Sequence, residues 1–190
     1  MTESGSVDTS DARWSDLAAD LDALAEAHAT AESDAMIAEL TRAEHATIDL
    51  ADRLRAATGT LVVIDLPDGE SVRGVIREAA RTWLLLAGPA RGSQRHLVPL
   101  PAIDGVSGLG AGSAPAAGRE LALTTQLRDL QRDRRTVLIR TRGRVHRGRI
   151  ARVGADHLDL DVLDGGRRES RVIPFSALLC VSHAPPGMAP

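Results

Sequence analysis

TVLIRTRGRVHRGRI, residues 136–150, has the pattern of a β-hairpin: alternating apolar residues, a turn centred on Gly143, and a second strand that contains Gly148. TLVVIDLPDGESVRGVI, residues 60–76, has the same features in the same order. The turn glycines Gly69 and Gly143 correspond, as do Gly74 and Gly148. Two copies of one hairpin in a single chain indicate an internal repeat.

The repeat extends beyond the hairpins in both directions. Further matched residues lie 74 to 76 positions apart, and they include Leu54 with Leu130, Leu84 with Leu158, Pro99 with Pro174 and Val106 with Val181. We therefore interpret residues 47–107 and 123–183 as two copies of one unit, each a helix followed by five short strands.

The segment before the repeats has the spacing of a helix. Apolar residues recur every three or four positions from Trp14, and neither Gly nor Pro occurs from Arg13 to Thr58. This pattern predicts one long helix or two in succession. The apolar seam is interrupted between Leu24 and Met36, so a coiled coil is not established and oligomerisation through this segment stays open.

These features divide the chain into six segments. We predict a disordered tail at 1–12, an acidic helical segment at 13–57, a first repeat at 47–107, a flexible linker at 108–118, a second repeat at 119–183 and a disordered tail at 184–190.

The repeats resemble the Sm-like small barrel, a member of the wider SH3-like group. The resemblance rests on the bent hairpin and on the closing stretches LVPLPAIDGVS, residues 97–107, and VIPFSALLCVS, residues 172–182. It implies two tandem Sm/SH3-like five-stranded small barrels, each preceded by a helix. With the long N-terminal helix that the apolar spacing predicts, the expected fold class is mainly β with α. The layout is also similar to actinobacterial proteins of comparable length, a resemblance that implies no activity.

The resemblance does not include the family's usual RNA pocket. Its acidic-then-Asn signature would fall near residues 80–84 and 154–158, and the chain contains no Asn. The Tyr-Lys-His signature of the bacterial RNA chaperone Hfq would fall in the closing strands, where VPL and IPF stand instead. The resemblance therefore implies the barrel but not that pocket.

Composition excludes several kinds of chemistry. All 23 basic residues are Arg, so a Walker A lysine, a pyridoxal Schiff base and a Lys general base are all missing. The single Cys180 excludes an intramolecular disulfide and a multi-cysteine metal site. The six His show no metal-ligand spacing, and no nucleophile motif is present. We expect no catalytic residues, no metal and no cofactor, and therefore no enzyme.

Charge is distributed unevenly along the chain. Residues 1–57 carry 13 acids against 4 Arg, whereas residues 119–190 carry 14 Arg against 8 acids. The sequence has no signal-peptide pattern and no long apolar run, which predicts a cytoplasmic protein without a membrane segment. The excess of Arg makes the second half of the chain the candidate location of a binding surface.

Period-2 alternation assigns the faces of the second hairpin. Val137, Ile139 and Ile150 face the core, so the arginines between them face outward. These outward residues are Arg140, Arg142, Arg147 and Arg149. They form a candidate phosphate-binding surface, assisted by Arg132, Arg134, Arg135 and Arg171. The alternative is that Asp159 and Asp161, outward on the next strand, pair with Arg147 or Arg149.

Trp83 and Leu85 form an apolar pair on the outer face of the first repeat, because Leu84 and Leu86 face its core. Such a pair predicts a covering element. The N-terminal helix, the other repeat and a second subunit are the three alternatives.

Two functions follow from these patterns. The first is a non-enzymatic module that binds the phosphate backbone of RNA or DNA through the four arginines, with little base specificity. The alternative is a scaffold that uses the N-terminal helix and the Trp83 and Leu85 face to assemble a homo-oligomer or to bind a partner protein.

Overall fold

The computed structural model describes residues 14, 24, 26–39, 46–88, 94–116, 122–162 and 169–183. The chain divides into two compact units, Met1–Ile48 and Asp49–Pro190. The predicted tails at 1–12 and 184–190 lie outside the described residues. None of the helices in the described part of the chain combines the length and apolarity needed to cross a membrane.

The first unit contains helix α1, described over residues 26–39, all of which are exposed. Residues 47–49 are not helical, and the next helix, α2, spans Leu50–Ala56. The prediction of one long N-terminal helix is therefore wrong. Alanine, histidine and acidic residues interrupt the apolar seam, whereas α2 buries Ala51 and Leu54 in the second unit and is stabilised by that packing.

The second unit consists mainly of strands, in two runs of five. The first run is β1 Leu61–Asp65, β2 Ser71–Ala79, β3 Trp83–Ala87, β4 Arg95–Pro99 and β5 Gly105–Ser107. Helix α3, Leu123–Arg132, leads into the second run: β6 Thr136–Thr141, β7 Val145–Val153, β8 His157–Val162, β9 Glu169–Pro174 and β10 Leu178–His183. Short 3-10 helices, Leu100–Ala102 and Phe175–Ala177, precede β5 and β10.

The prediction of two separate five-stranded barrels is also wrong. The ten strands of the described residues form one antiparallel sheet, which does not close within that part of the chain, in the order β5-β1-β2-β3-β4-β10-β6-β7-β8-β9. The two blocks join where β4 of the first repeat pairs with β10 of the second, with Val181 opposite Leu97 and Ser182 opposite His96. We call this pairing, together with the contacts between the two repeats that surround it, the internal junction.

Packing across the internal junction explains why the blocks do not form separate barrels. Leu179 and Cys180 of β10 lie in the core of the first repeat. Ala80, Trp83 and Leu97 lie in the core of the second. Each core is therefore completed by side chains from the other repeat. Separation of the repeats would expose this apolar surface to water, at a free-energy cost of about 25 cal/mol per Å².

The two repeats share local geometry as well as strand order. In each, the second strand is nine residues long and pairs with strands on both sides. A β-bulge interrupts β2 between Ile76 and Glu78, and another interrupts β7 between Ile150 and Arg152. Bulges bend a strand and increase its twist, so both blocks curve at the same place.

The segment predicted as a flexible linker, residues 108–118, is described up to residue 116. It lies against α2. Arg53 donates a hydrogen bond to the carbonyl of Gly110 at 2.8 Å, and Arg55 donates one to the carbonyl of Ala114 at 3.0 Å. The backbone N–H of Ala114 donates to the carbonyl of Asp52 at 3.0 Å. These bonds attach the segment to the first repeat.

Candidate nucleic-acid interface

The β6–β7 hairpin carries the four arginines predicted from the sequence. Arg140 lies on β6, Arg147 and Arg149 lie on β7, and Arg142 lies in the turn that joins the two strands. Arg147 is opposite Leu138 and Arg149 is opposite Thr136, so both share the outer face with Arg140. The turn residue Arg144 is exposed and adds a fifth guanidinium to the hairpin.

Arg140 is engaged in the internal junction. Its guanidinium lies 3.2 Å from the Asp68 carboxylate and 3.9 Å from the Glu70 carboxylate, both in the β1–β2 turn of the first repeat. Arg140 and Asp68 are both largely shielded from solvent, which reduces screening of their attraction by water and salt. Arg140 therefore connects the two repeats, and its charge is compensated there.

The remaining arginines of the hairpin differ in their surroundings. Arg142, Arg144 and Arg149 are exposed and form no ion pair with any residue in the described parts of the chain. Arg147 is half-buried on the same outer face. We call Arg142, Arg144, Arg147 and Arg149 the basic hairpin face.

Acidic residues on β8 border the basic hairpin face. Asp159 pairs with Arg152 at 3.8 Å, and Asp161 lies opposite Arg149 in the register. The sequence predicted Arg147 or Arg149 as the partner of Asp159. The bulge before Arg152 shifts the register by one residue and brings Arg152 opposite Asp159.

The arginines predicted to assist binding are mostly paired with nearby acids. Arg132 lies 3.3 Å from Asp129, and Arg135 lies 3.3 Å from Asp133. Arg171 forms a hydrogen bond of 2.8 Å with Glu169. Arg134 is exposed and occupies a left-handed conformation with φ of 50° between α3 and β6.

Arg144 was not among the residues predicted from the sequence, although a comparison of the two turns indicates it. The turn glycines Gly69 and Gly143 correspond, and comparison of their neighbours shows acids in the first turn and arginines in the second. The acidic pair is Asp68 and Glu70, and the basic pair is Arg142 and Arg144. The two repeats thus present turns of opposite charge.

The apolar pair predicted as a protein interface lies at the internal junction. Trp83 has no exposed surface, and Leu85 is half-buried beside it. Both pack with Leu97 against residues of the second repeat, including Leu158 and Val181. Of the three alternatives for the covering element, the structure places the other repeat against this face.

Comparison with known proteins assigns the chain to no family. A scan of protein-family models and a search of curated proteins both give no match to the chain. Within the described ranges, no group of three His, Cys, Asp or Glu residues is arranged to hold a metal ion.

Cys180 forms a small polar cluster inside the internal junction. Its Sγ lies 3.4 Å from Ser182 Oγ and 4.0 Å from His96 Nδ1. His96 Nδ1 and Ser182 Oγ form a hydrogen bond of 2.8 Å. Burial raises the pKa of the Cys180 thiol to about 11, which keeps the sulfur protonated and unreactive at neutral pH.

This shifted pKa predicts a loss of stability at alkaline pH. Because the native state holds the thiol proton up to a pKa of about 11 and the unfolded state releases it near 9.0, unfolding becomes more favourable between these values. We expect the free energy of unfolding to fall by about 1.4 kcal/mol per pH unit in that range, measured by urea denaturation.

Cys180→Ala provides the control for this experiment. The chain has no Lys or Tyr, so no other side chain normally titrates between pH 9 and 11. We expect the variant to show a flat profile over that range. An equal slope in both proteins would show that Cys180 is not its source.

Proposed function

We propose that this protein is a non-enzymatic module that binds the phosphate backbone of nucleic acid through the basic hairpin face. The observation that carries the proposal is the exposure of Arg142, Arg144 and Arg149 without an acidic partner in the described structure. Their guanidinium groups remain free to donate hydrogen bonds to phosphate oxygens.

The distribution of charge between the repeats supports this assignment. Residues 122–162 contain 10 Arg and 5 acids, whereas the corresponding residues 49–88 contain 5 Arg and 6 acids. The excess positive charge thus belongs to the second repeat. Such an excess attracts a polyanion and releases its condensed counterions on binding.

The available side chains favour binding with little base specificity. Stacking of single-stranded bases uses aromatic side chains, and the chain has only Trp14, Trp83 and Phe175. Trp83 is buried at the internal junction, and Phe175 packs against the core of the second repeat. The exposed Trp14 belongs to the first unit and not to the hairpin. The basic hairpin face therefore contacts the backbone, and affinity depends steeply on salt.

The proposal is tested by fluorescence anisotropy of labelled single-stranded RNA and duplex DNA. We expect Arg142→Ala/Arg144→Ala/Arg149→Ala to weaken binding at least about tenfold and to reduce the salt slope on duplex DNA by about 3, since each lost phosphate contact removes about 0.9. Arg140 is left in place because its ion pair with Asp68 supports the internal junction.

Arg73→Ala/Arg77→Ala/Arg95→Ala is the matched control. It removes three exposed arginines of the first repeat and changes the net charge by the same amount. We expect it to weaken binding by about twofold, a general charge effect. Absence of binding at low salt, or equal losses in the two variants, would contradict the proposal.

A further inference from the structure

The turn of the β6–β7 hairpin extends beyond the strands that flank it. On one side, Leu178 at the start of β10 pairs with Thr141, the last residue of β6. On the other side, the described pairing of β7 with β8 begins only at Gly148. Residues 142–144 lie past both positions and are all exposed, and we call them the Arg-Gly-Arg turn. The backbone N–H and the hydroxyl of Thr141 both donate to the carbonyl of Arg144, at 2.8 Å and 3.1 Å, and close this turn.

Gly143 lies at the centre of the turn, although the fold does not require a glycine there. Its counterpart Gly69 has φ of 82°, a left-handed conformation that favours glycine. The φ of Gly143 is not positive, and a Cβ at this position would meet no atom of the described residues within 4 Å apart from its chain neighbours. The missing side chain therefore affects the outer surface of the turn, where it lets a ligand approach the backbone closely.

Two arginines flank this glycine without acidic partners. Arg142 and Arg144 are exposed and form no ion pair in the described parts of the chain. The acids of the first repeat that contact this hairpin, Asp68 and Glu70, form their ion pairs with Arg140. The guanidinium groups of the turn can therefore bind a polyanion without first separating from an acid.

The shape and charge of the turn match the minor groove of B-form DNA. That groove is about 6 Å wide, so slender groups such as arginine side chains enter it. Its potential is most negative where A·T tracts make it narrow, and arginine is attracted there. The wider major groove admits a two-stranded ribbon, but β6 and β7 also pair with β10 and β8 and are not a free ribbon.

Other nucleic acids lack the features that this turn fits. The minor groove of double-stranded RNA is wide and shallow, so it does not enclose an arginine side chain. Single strands are bound by stacking of bases on aromatic side chains. The hairpin, residues 136–153, contains no Phe, Tyr or Trp. Duplex DNA is therefore the substrate class that these residues favour.

We propose that the Arg-Gly-Arg turn enters the minor groove of duplex DNA and gives the protein a preference for A·T-rich segments. This inference rests on the proposed nucleic-acid binding and names its substrate class. Arg147 and Arg149 follow on β7, about 10 Å and about 17 Å beyond Arg144 at about 3.3 Å per residue, and contact phosphates beside the groove. Because A·T and T·A pairs present the same acceptors in the minor groove, the preference is for base composition and not for one sequence.

The test is fluorescence anisotropy of the full chain with three labelled duplexes of equal length, at one salt concentration. They contain A·T pairs, G·C pairs, or inosine·cytosine pairs, which combine the minor groove of A·T with the major groove of G·C. We expect the A·T duplex to bind at least about tenfold more tightly than the G·C duplex, because the guanine N2 amino group adds a donor that opposes the guanidinium donors. The inosine·cytosine duplex should bind within about threefold of the A·T duplex.

Gly143→Val tests the close approach of the turn without changing its charge. Because a Cβ at this position meets open space, we expect thermal unfolding to be unchanged. The added side chain should weaken binding to the A·T duplex at least about fivefold. Binding to single-stranded RNA, which has no groove, should stay the same.

Lysine substitutions provide a second test that does not depend on Gly143→Val. Arg142→Lys/Arg144→Lys keeps the charge but removes the planar guanidinium groups, and it should reduce the A·T preference at least about threefold. Arg147→Lys/Arg149→Lys is the matched control, since Lys still binds phosphate as a point charge, and its A·T preference should be unchanged.

Two patterns of results would overturn the inference. Equal affinity for the three duplexes, or an inosine·cytosine duplex bound as weakly as the G·C duplex, would exclude the minor groove while leaving the proposed binding of nucleic acid intact. Absence of binding to every duplex and to single-stranded RNA at low salt would contradict the proposed function as well.

Discussion

Trp83→Ala is expected to lower the free energy of unfolding by about 4 kcal/mol, because it removes a completely buried indole and leaves a cavity. Trp83 packs at the internal junction, so the cavity lies between the two repeats. Most single domains have a total stability of only about 5–15 kcal/mol. The substitution therefore removes a large part of the stability of the whole sheet.

Urea denaturation followed by far-UV circular dichroism measures this effect. Trp14→Ala is the matched control, since Trp14 is 68% exposed and the same atoms are removed. We expect that variant to unfold within about 0.5 kcal/mol of the original protein. If the two variants lost equal stability, Trp83 would not hold the repeats together.

Local sequence patterns were sufficient to predict the hairpins. Apolar alternation and the paired glycines locate both turns, and the structure pairs β1 with β2 and β6 with β7 around them. Such pairing involves residues close together in the chain, and turn type and alternation determine its register. Matched residues in the two repeats indicated a third strand and a closing stretch in each, and the structure has β3 to β5 and β8 to β10 in these regions.

The joining of the two blocks could not be predicted from those patterns. β4 and β10 are about eighty residues apart, and nothing local to either strand identifies its partner. The sequence contained one indication of it. The outward apolar pair Trp83 and Leu85 predicted that another element covers this face, but did not identify that element. A resemblance to separate barrels therefore gave the wrong architecture, although the strands within each repeat were located.

The residues of the candidate site could be predicted from the sequence, but their ion-pair partners could not. Alternation placed Arg147 and Arg149 on the outer face, where the structure has them. The ion pair between Arg140 and Asp68 spans the two repeats, so it depends on the same long-range joining. Asp159 pairs with Arg152 and not with Arg147 or Arg149, because a bulge adds one residue to β7. A bulge is hard to recognise from the alternation of apolar and polar residues.

The close approach at Gly148 provides the second large effect. A Cβ at this position would collide with the carbonyl oxygen of Asp161 and lie 2.9 Å from the Leu160 side chain. The obstruction is mainly backbone of the neighbouring strand β8, which cannot turn aside as a flexible side chain can. Relief requires displacement of β8 from a packed core. We expect Gly148→Ala to lower the free energy of unfolding by more than about 3 kcal/mol.

Gly143→Ala is the control for this prediction, since a Cβ there meets no atom within 4 Å and its φ is not positive. Gly74→Ala, at the corresponding site of the first repeat, should have an intermediate effect because its nearest contacts are at 3.0 Å. The order Gly148, Gly74, Gly143 in urea denaturation is therefore the expected result. Equal effects of Gly148→Ala and Gly143→Ala would mean that the close approach of β8 to β7 does not require glycine. If the expected order holds, the close approach of the third strand to the second at this glycine is a feature of both repeats, with β8 against Gly148 and β3 against Gly74.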